Sequence, residues 1–229
     1  MRHVIIKNFS RPDADIVSSL GGIGVATIHG AMGRIGLMRP YMRPIYPTAH
    51  VAGTAVTVLC RPADNLMIQA AIEVCKKGDI LVVATTSEST DGMFGDLLGT
   101  SCVVHGVVGL IIDAGVRDVN GLTKLKFPVW AKAISAQGTA KVTAGSVNVP
   151  IVCAGALVHP GDIIVADADG ICVVPKQMAK EINGLALKKY EKEEQNRELF
   201  KRGELSIDLD DRRAVLAELG VEYLEEEES

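Results

Sequence analysis

Of 229 residues, 48% are apolar and 23% charged, which supplies a filled core and argues against wholesale disorder. A net charge of −4 with scattered lysines and arginines, and an aromatic content of only 4%, leaves neither a basic stripe nor a stacking platform, so no nucleic acid partner is expected. No run approaches the roughly 18 apolar residues that span a bilayer, and Met1-Arg2-His3-Val4 lacks the apolar run of a signal peptide, so a soluble cytoplasmic protein with no membrane partner is expected.

In chain order, Ser10, Pro12 and Asp13 read as a helix start that stops at Gly21-Gly22, and a second short helix covers Val25 to Met32. A loop rich in proline and arginine (Arg34, Arg39, Arg43) follows, then a β-branched strand over Val51 to Cys60. Helical spacing marks Asn65 to Lys77, with Gly78 as its stop. Ile80 to Thr85 and Val107 to Asp113 read as buried strands flanking a helix over Phe94 to His105, an order that implies parallel pairing by a right-handed crossover.

From Val129 to Val174 short strands follow one another: Val129–Ile134, Ile151–Cys153, Asp162–Val165 and Ile171–Val174. This reads as a β-rich half joined to an α/β half. Lys77-Gly78-Asp79-Ile80 and Pro160-Gly161-Asp162-Ile163 both present a Gly-Asp turn feeding an apolar strand, the same turn chemistry used twice. Beyond Tyr190 a predicted helix becomes polar on every face, as a segment that enters solvent or reaches another subunit would. A last helix is predicted over Arg213 to Leu219, followed by an acidic tail from Glu225 to Ser229. The expected domains are 1–175, an α/β catalytic domain, and 176–229, a helical extension serving an oligomer and a neighbouring active site. Five cysteines without CxxC spacing (Cys60, Cys75, Cys102, Cys153, Cys172) read as buried free thiols.

Chemistry concentrates after two of the predicted strands. Gly92-Met93-Phe94-Gly95-Asp96-Leu97-Leu98-Gly99 follows the first, and Gly115-Val116-Arg117-Asp118 the second. Ligands bind beyond the carboxyl ends of parallel strands, and Arg117 lies 21 positions after Asp96, which suits one helix out and one strand back. Glycines let the backbone approach a ligand, and the amides of Leu97 and Leu98 would begin a helix, where anions bind. Arg117 offers a bidentate fork for a carboxylate, and Asp118 a hard oxygen ligand for Mg²⁺ or Mn²⁺. A 2-oxo acid fits such a site.

At these residues the sequence resembles the 4-hydroxy-4-methyl-2-oxoglutarate and 4-carboxy-4-hydroxy-2-oxoadipate aldolases, in the superfamily of the regulator of ribonuclease activity A. The resemblance also runs through Gly24 to His29, Tyr41 to Pro47, Phe127 to Trp130, Gly145 to Ala156 and Gly161-Asp162. It implies a layered β/β/α domain with a partly parallel sheet and a C-terminal helical extension, assembled as a homotrimer or homohexamer. It implies a pyruvyl site made by Gly95, Asp96, Leu97, Leu98 and Arg117, a divalent metal ion (Mg²⁺ or Mn²⁺) on Asp118, and Asp96 beside metal-bound water. A glutamate from a neighbouring subunit matches Glu193, with Glu191 and Glu194 close by as alternatives. The implied reaction is class II retro-aldol cleavage that releases pyruvate, with oxaloacetate decarboxylation as a side activity. The sequence departs from the family pattern at Gly30, where an acidic residue is expected, and at Leu209-Asp210, where Met-Tyr is usual.

Two rivals remain. A Schiff-base aldolase would use Lys132, although an edge lysine facing water is the plainer reading. A non-catalytic, protein-binding regulator is the other. His29 reads as a core histidine, His105 and His159 as caps or packing groups, and the three arginines as contacts to a distal carboxylate or as loop packing.

Overall fold

The computed structural model describes residues 3–225. Its elements run α1 (Ala14–Gly21), α2 (Val25–Ala31), β1 (Arg43–Pro44), β2 (Val51–Cys60), α3 (Leu66–Ile72), β3 (Asp79–Thr85), β4 (Gly92–Phe94), α4 (Asp96–Val104) and β5 (Gly109–Val116). They continue with α5 (Val119–Lys124), β6 (Val129–Ile134), β7 (Ser146–Val147), β8 (Ile151–Cys153), β9 (Ala156–Val158), β10 (Ile163–Ala166), β11 (Ile171–Val174), α6 (Ala179–Lys201) and α7 (Arg212–Glu218).

Period-two alternation builds the layers. In β3, Leu81 and Val83 point to one side of the sheet with Val56, Val58, Leu110 and Ile112, where residues of α3, α4 and α5 cover them. Ile80, Val82 and Ala84 point to the other side with Ile111 and Trp130, beneath the β8–β9 hairpin. Burial on both faces explains why these strands read as continuous apolar runs. The sheet order is β1-β6-β5-β3-β2-β10-β11, with β4 added to β5 and β7 to β2. β2, β3, β5 and β6 are parallel, and β10, β11 and β1 attach antiparallel. The result is the layered β/β/α arrangement with a partly parallel sheet.

The strands after Val129 do not form a separate β-rich half. β6 extends the parallel sheet beside β5, and β10 pairs with β2, so short strands from the end of the chain complete the sheet begun near its start. Among the described residues only β8 and β9 stand apart, as a hairpin. Two helix starts also differ. Asp13, not Ser10, caps α1 by accepting the Asp15 amide at 3.0 Å. Phe94 belongs to β4, and α4 begins at Asp96.

The repeated Gly-Asp turn has one explanation in both places. Asp79 accepts the Lys76 amide at 2.7 Å, and Asp162 accepts the His159 amide at 2.8 Å, so each buried carboxylate ties off the turn that precedes its strand. Asp79 is further held by the Arg11 fork, at 2.9 and 2.7 Å. All five cysteines are unpaired, and burial pushes the Cys60, Cys102 and Cys172 thiols up to about 12.

Two compact units divide the chain at Leu187, so the first contains residues 176–187 in addition to the sheet. Ile182 and Ala186 of α6 pack there with Leu20, Ile28 and Val174, and Ser19 donates to Asn183 at 2.8 Å. The second unit, from Lys188, contains the rest of α6, a 3₁₀ turn at Ser206–Asp208, and α7. No described residue of α6 beyond Ala186 is buried, in keeping with its polar sequence. Within this unit Asp210 takes Lys192 at 2.7 Å and Arg212 at 3.2 Å, and Asp208 takes Arg213. Met1, Arg2 and the tail beyond Glu225 lie outside the described residues. Among the described residues no helix is long and apolar enough to cross a membrane.

Candidate active site

The loop after β4 and the loop after β5 are joined by their strands. Gly92 faces Gly115 and Phe94 faces Val116 in parallel register, and the Arg117 amide donates to the Phe94 carbonyl at 2.9 Å. Close approach requires the glycines: a Cβ on Gly115 would sit 2.1 Å from the Thr90 carbonyl oxygen. At Gly95 the approach is to the site itself. A Cβ there would lie 2.2 Å from Asp118 Oδ2 and 3.3 Å from Arg117 Nε. The backbone that opens α4 therefore abuts both side chains.

Asp118 occupies the left-handed region, φ +56°, at the residue before α5, and makes no side-chain cap to that helix. Such a conformation costs a non-glycine residue on the order of 1 kcal/mol and is found at sites where geometry is imposed. Here it turns the carboxylate back toward Gly95. Gly95 has no side chain with which to cap α4, so the positive end of that helix, at the first-turn amides of Leu97 and Leu98, has no side-chain cap from the residue before it. Asp96 leans on α5: a Cβ at Gly121 would meet its Oδ2 at 2.6 Å.

Apart from Asp96, which is not among its lining residues, these groups line a cleft of about 450 Å³. Gly95, Leu97, Leu98, Arg117 and Asp118 line it together with Asn65, Gln69, Gly138, Thr139 and Lys141 and the β4 residues Gly92 and Met93. A second cleft, about 370 Å³, lies on the far side of Arg117 and Asp118, against Asn120, Ile134, Ser135 and Ala136. Arg117 Nε and Asp118 Oδ2 are 3.5 Å apart and the side chains are 46% and 43% exposed, so this pair is a loose surface contact that leaves the fork open to a ligand. Sequence reasoning missed Asn65, Gln69, Thr139 and Lys141. Nothing in their spacing marks them; the only signal is a lone lysine in a small-residue loop, Gly138-Thr139-Ala140-Lys141.

Among the described residues no three His, Cys, Asp or Glu side chains gather as an all-protein metal cage would require. The donors at hand are the Asp118 carboxylate, with Asp96 on the adjoining helix start. That set fits a hard ion such as Mg²⁺ or Mn²⁺, which keeps several waters and takes one or two carboxylates plus ligand oxygens.

Glu193 lies in the second unit, with Lys189 Nζ 3.2 Å from its carboxylate. Lys132 does not face open water: its side chain is 19% exposed, its Nζ lies 3.5 Å from Glu88 and 5.5 Å above the Tyr41 ring. β1 pairs with β6 at Ala131 and Trp130, which removes this stretch from the sheet edge. Tyr41 donates to Asp113 at 3.0 Å, and burial together with that carboxylate pushes its pKa up to about 12. His29 is half-buried rather than a core residue, while His105 bonds Ser101 and His159 lies 3.7 Å from Asp162, as packing groups do. Arg34, Arg39 and Arg43 are exposed; Arg43 reaches the Asp169 carbonyl at 3.4 Å.

The fold and cleft together define an α/β domain that brings a helix start, a guanidinium and a carboxylate together at the ends of parallel strands. The chain belongs to the RraA-like family (Aldolase/RraA), whose model matches residues 25–173. It is 29% identical over 185 residues to a Halalkalibacterium halodurans protein named "Putative 4-hydroxy-4-methyl-2-oxoglutarate aldolase", covering 81% of this chain and 88% of that one. An uncharacterized protein of Methanocaldococcus jannaschii is 32% identical over 202 residues, 87% of this chain and 89% of its own length. Among solved structures, Streptomyces coelicolor RraAS2, described as an unusual member of the RNase ES inhibitor RraA protein family, is 28% identical with a TM-score of 0.74, covering 83% of this chain and 99% of that one.

Proposed function

We propose that the protein is a divalent-cation-dependent aldolase that cleaves a 4-hydroxy-2-oxo dicarboxylic or tricarboxylic acid, such as 4-hydroxy-4-methyl-2-oxoglutarate or 4-carboxy-4-hydroxy-2-oxoadipate, to release pyruvate. The observation that carries this reading is the contact of Gly95 with both Arg117 and Asp118 at the mouth of one cleft. The names of relatives similar over most of their length support the reaction class.

Asp118 would hold Mg²⁺ or Mn²⁺, which when bound supplies Lewis-acid polarisation of the 2-oxo group. The first-turn amides of Leu97 and Leu98 and the Lys141 ammonium bind the substrate carboxylate. Arg117 donates to the 2-oxo oxygen and strengthens that bond as enolate charge develops there. The C4 hydroxyl gives up its proton to a water held at Asp96 or to Glu193 of a neighbouring subunit. The C3–C4 bond then breaks, its electrons enter the pyruvate enolate, and a proton returned to C3 completes pyruvate. Loss of CO₂ from oxaloacetate reaches the same enolate, so oxaloacetate decarboxylation accompanies the aldolase activity.

Glu193 lies in a helix stretch with no buried residue, which suits a role in a neighbouring copy within a homotrimer or homohexamer. Asp118→Ala and Glu193→Ala would then each be nearly inactive alone. Co-expressed, randomly mixed chains would regain about a quarter of the sites, since a site needs each residue from a different parent. Mixed assemblies, verified with two affinity tags, that recover no turnover would remove Glu193 from a shared site.

The similarity to an RNase ES inhibitor family member supports a second reading, a protein-binding regulator. Pyruvate release by purified protein with and without Mg²⁺ separates the two.

A further inference from the structure

Lys141 lies in a loop without regular secondary structure and is exposed, yet the backbone on both sides of it is fixed. The Ala140 amide donates to the Ala63 carbonyl at 2.8 Å, and the Ala140 carbonyl accepts the Asn65 amide at 3.0 Å. On the other side, the Val142 and Thr143 amides donate to Asp64 Oδ2 at 2.9 and 2.8 Å. The second oxygen of the same carboxylate accepts the Leu66 amide at 2.9 Å. Asp64 itself is 3% exposed, so its carboxylate takes these amides in place of water.

Its neighbour carries the connection further. Asn65 Nδ2 donates to the Met93 carbonyl at 2.8 Å, in the strand that leads to Gly95, and Asn65 Oδ1 accepts Gln69 Nε2 at 3.1 Å. The preceding residue, Ala63, is held at φ +55°, a left-handed conformation that a β-carbon disfavours and that this network must sustain. Two adjacent residues thus join three walls of the cleft: the Lys141 loop, the β4 strand and α3. A single buried carboxylate with three amide donors is more than a turn from Arg61 to Leu66 needs for its own stability.

We propose that Asp64 is a positioning residue. It fixes the backbone around Lys141 and so sets where the ammonium meets the substrate carboxylate, without touching substrate itself. This inference rests on the aldolase reading of the cleft. Asp64→Asn keeps the shape but has one acceptor oxygen in place of two and brings an amide donor against amide donors, so the Lys141 loop loses its anchor.

The test is a double-mutant cycle on Asp64→Asn, Lys141→Met and the pair, read by kcat, KM and pyruvate dissociation constant. Asp64→Asn should lower kcat/KM by about ten- to a hundredfold, chiefly through KM, since a shift of about 1 Å in a binding group has effects of that order. In the Lys141→Met background the same substitution should change kcat/KM by less than about twofold, because its effect runs through the missing ammonium. Amides 140–143 should also exchange with deuterium faster in Asp64→Asn than in the wild type. An undiminished Asp64 effect in the Lys141→Met background would make the role merely structural and overturn the proposal. So would an Asp64→Asn variant with wild-type KM. Wild-type protein that neither binds pyruvate nor turns over oxo acids would instead overturn the aldolase reading, and the positioning role with it. Should Asp64→Asn fail to fold, Asp64→Glu, which keeps the charge and displaces it by one methylene, carries the same cycle.

Discussion

Arg117 is where the chemistry of a single side chain can be tested most sharply. Its fork, open beside Asp118, is assigned both to ground-state binding and to the developing oxyanion. Arg117→Lys keeps the charge but loses the planar fork. It should lower kcat by on the order of a hundredfold, as the loss of other oxyanion donors does; a change confined to KM would restrict Arg117 to substrate binding. Asp64 offers a pH signature. Burial acts to raise its pKa, but the amides of Leu66, Val142 and Thr143 outweigh burial and hold it below the usual carboxylate range. Its stabilising contribution is therefore present above the ordinary aspartate value of about 3.9 and lost as pH falls through its lower folded value. The stability gap between wild type and Asp64→Asn, measured by urea unfolding, should narrow below about pH 4; a gap unchanged down to pH 2 would contradict this. Arg117 and Asp118 are legible in the sequence because they closely follow a recognisable apolar strand, and Gly95 and Asp96 because they lie in the glycine-rich segment that comes after another. Lys141 and Gln69 were not, because bonds between residues 78 and 79 positions apart bring the Lys141 loop to the turn that precedes α3, the helix of Gln69.

At the scale of elements, the β4 strand decides whether a site exists. Its three residues are all buried; the apolar pattern places Phe94 in the following helix and leaves Gly92 and Met93 in the segment before it, a division that periodicity cannot settle. Pairing with β5 is what sets Gly95 against Arg117 and Asp118. Gly95→Ala therefore tests the element directly. Its φ of −144° suits alanine, so the backbone carries no strain, and the obstruction falls on Asp118 Oδ2. The variant should retain the wild-type circular dichroism spectrum while its Mg²⁺ affinity falls tenfold or more by calorimetry. Unchanged affinity would place the cation elsewhere. The turns, by contrast, were readable: Asp79 and Asp162 each close their own Gly-Asp turn through an amide three residues back, a local device that a short motif discloses.

For the whole molecule, local pattern identified most strands but misjudged their assembly. β10 and β11 look like part of a later β-rich half, yet β10 pairs with β2 across more than a hundred residues and carries β11 on its other edge, a connection that no local periodicity encodes. The parallel core, and the edge at which the Gly95 and Arg117 loops meet, were deducible because strand–helix–strand order constrains them. The central claim concerns what that edge does. Purified protein should be treated exhaustively with chelator and given 4-hydroxy-4-methyl-2-oxoglutarate, and pyruvate release should be followed by coupled reduction with lactate dehydrogenase and NADH. The account predicts no release above background after chelation and restoration by Mg²⁺ or Mn²⁺. Undiminished turnover in the chelated protein, or a pyruvate adduct trapped on a lysine by borohydride, would contradict it.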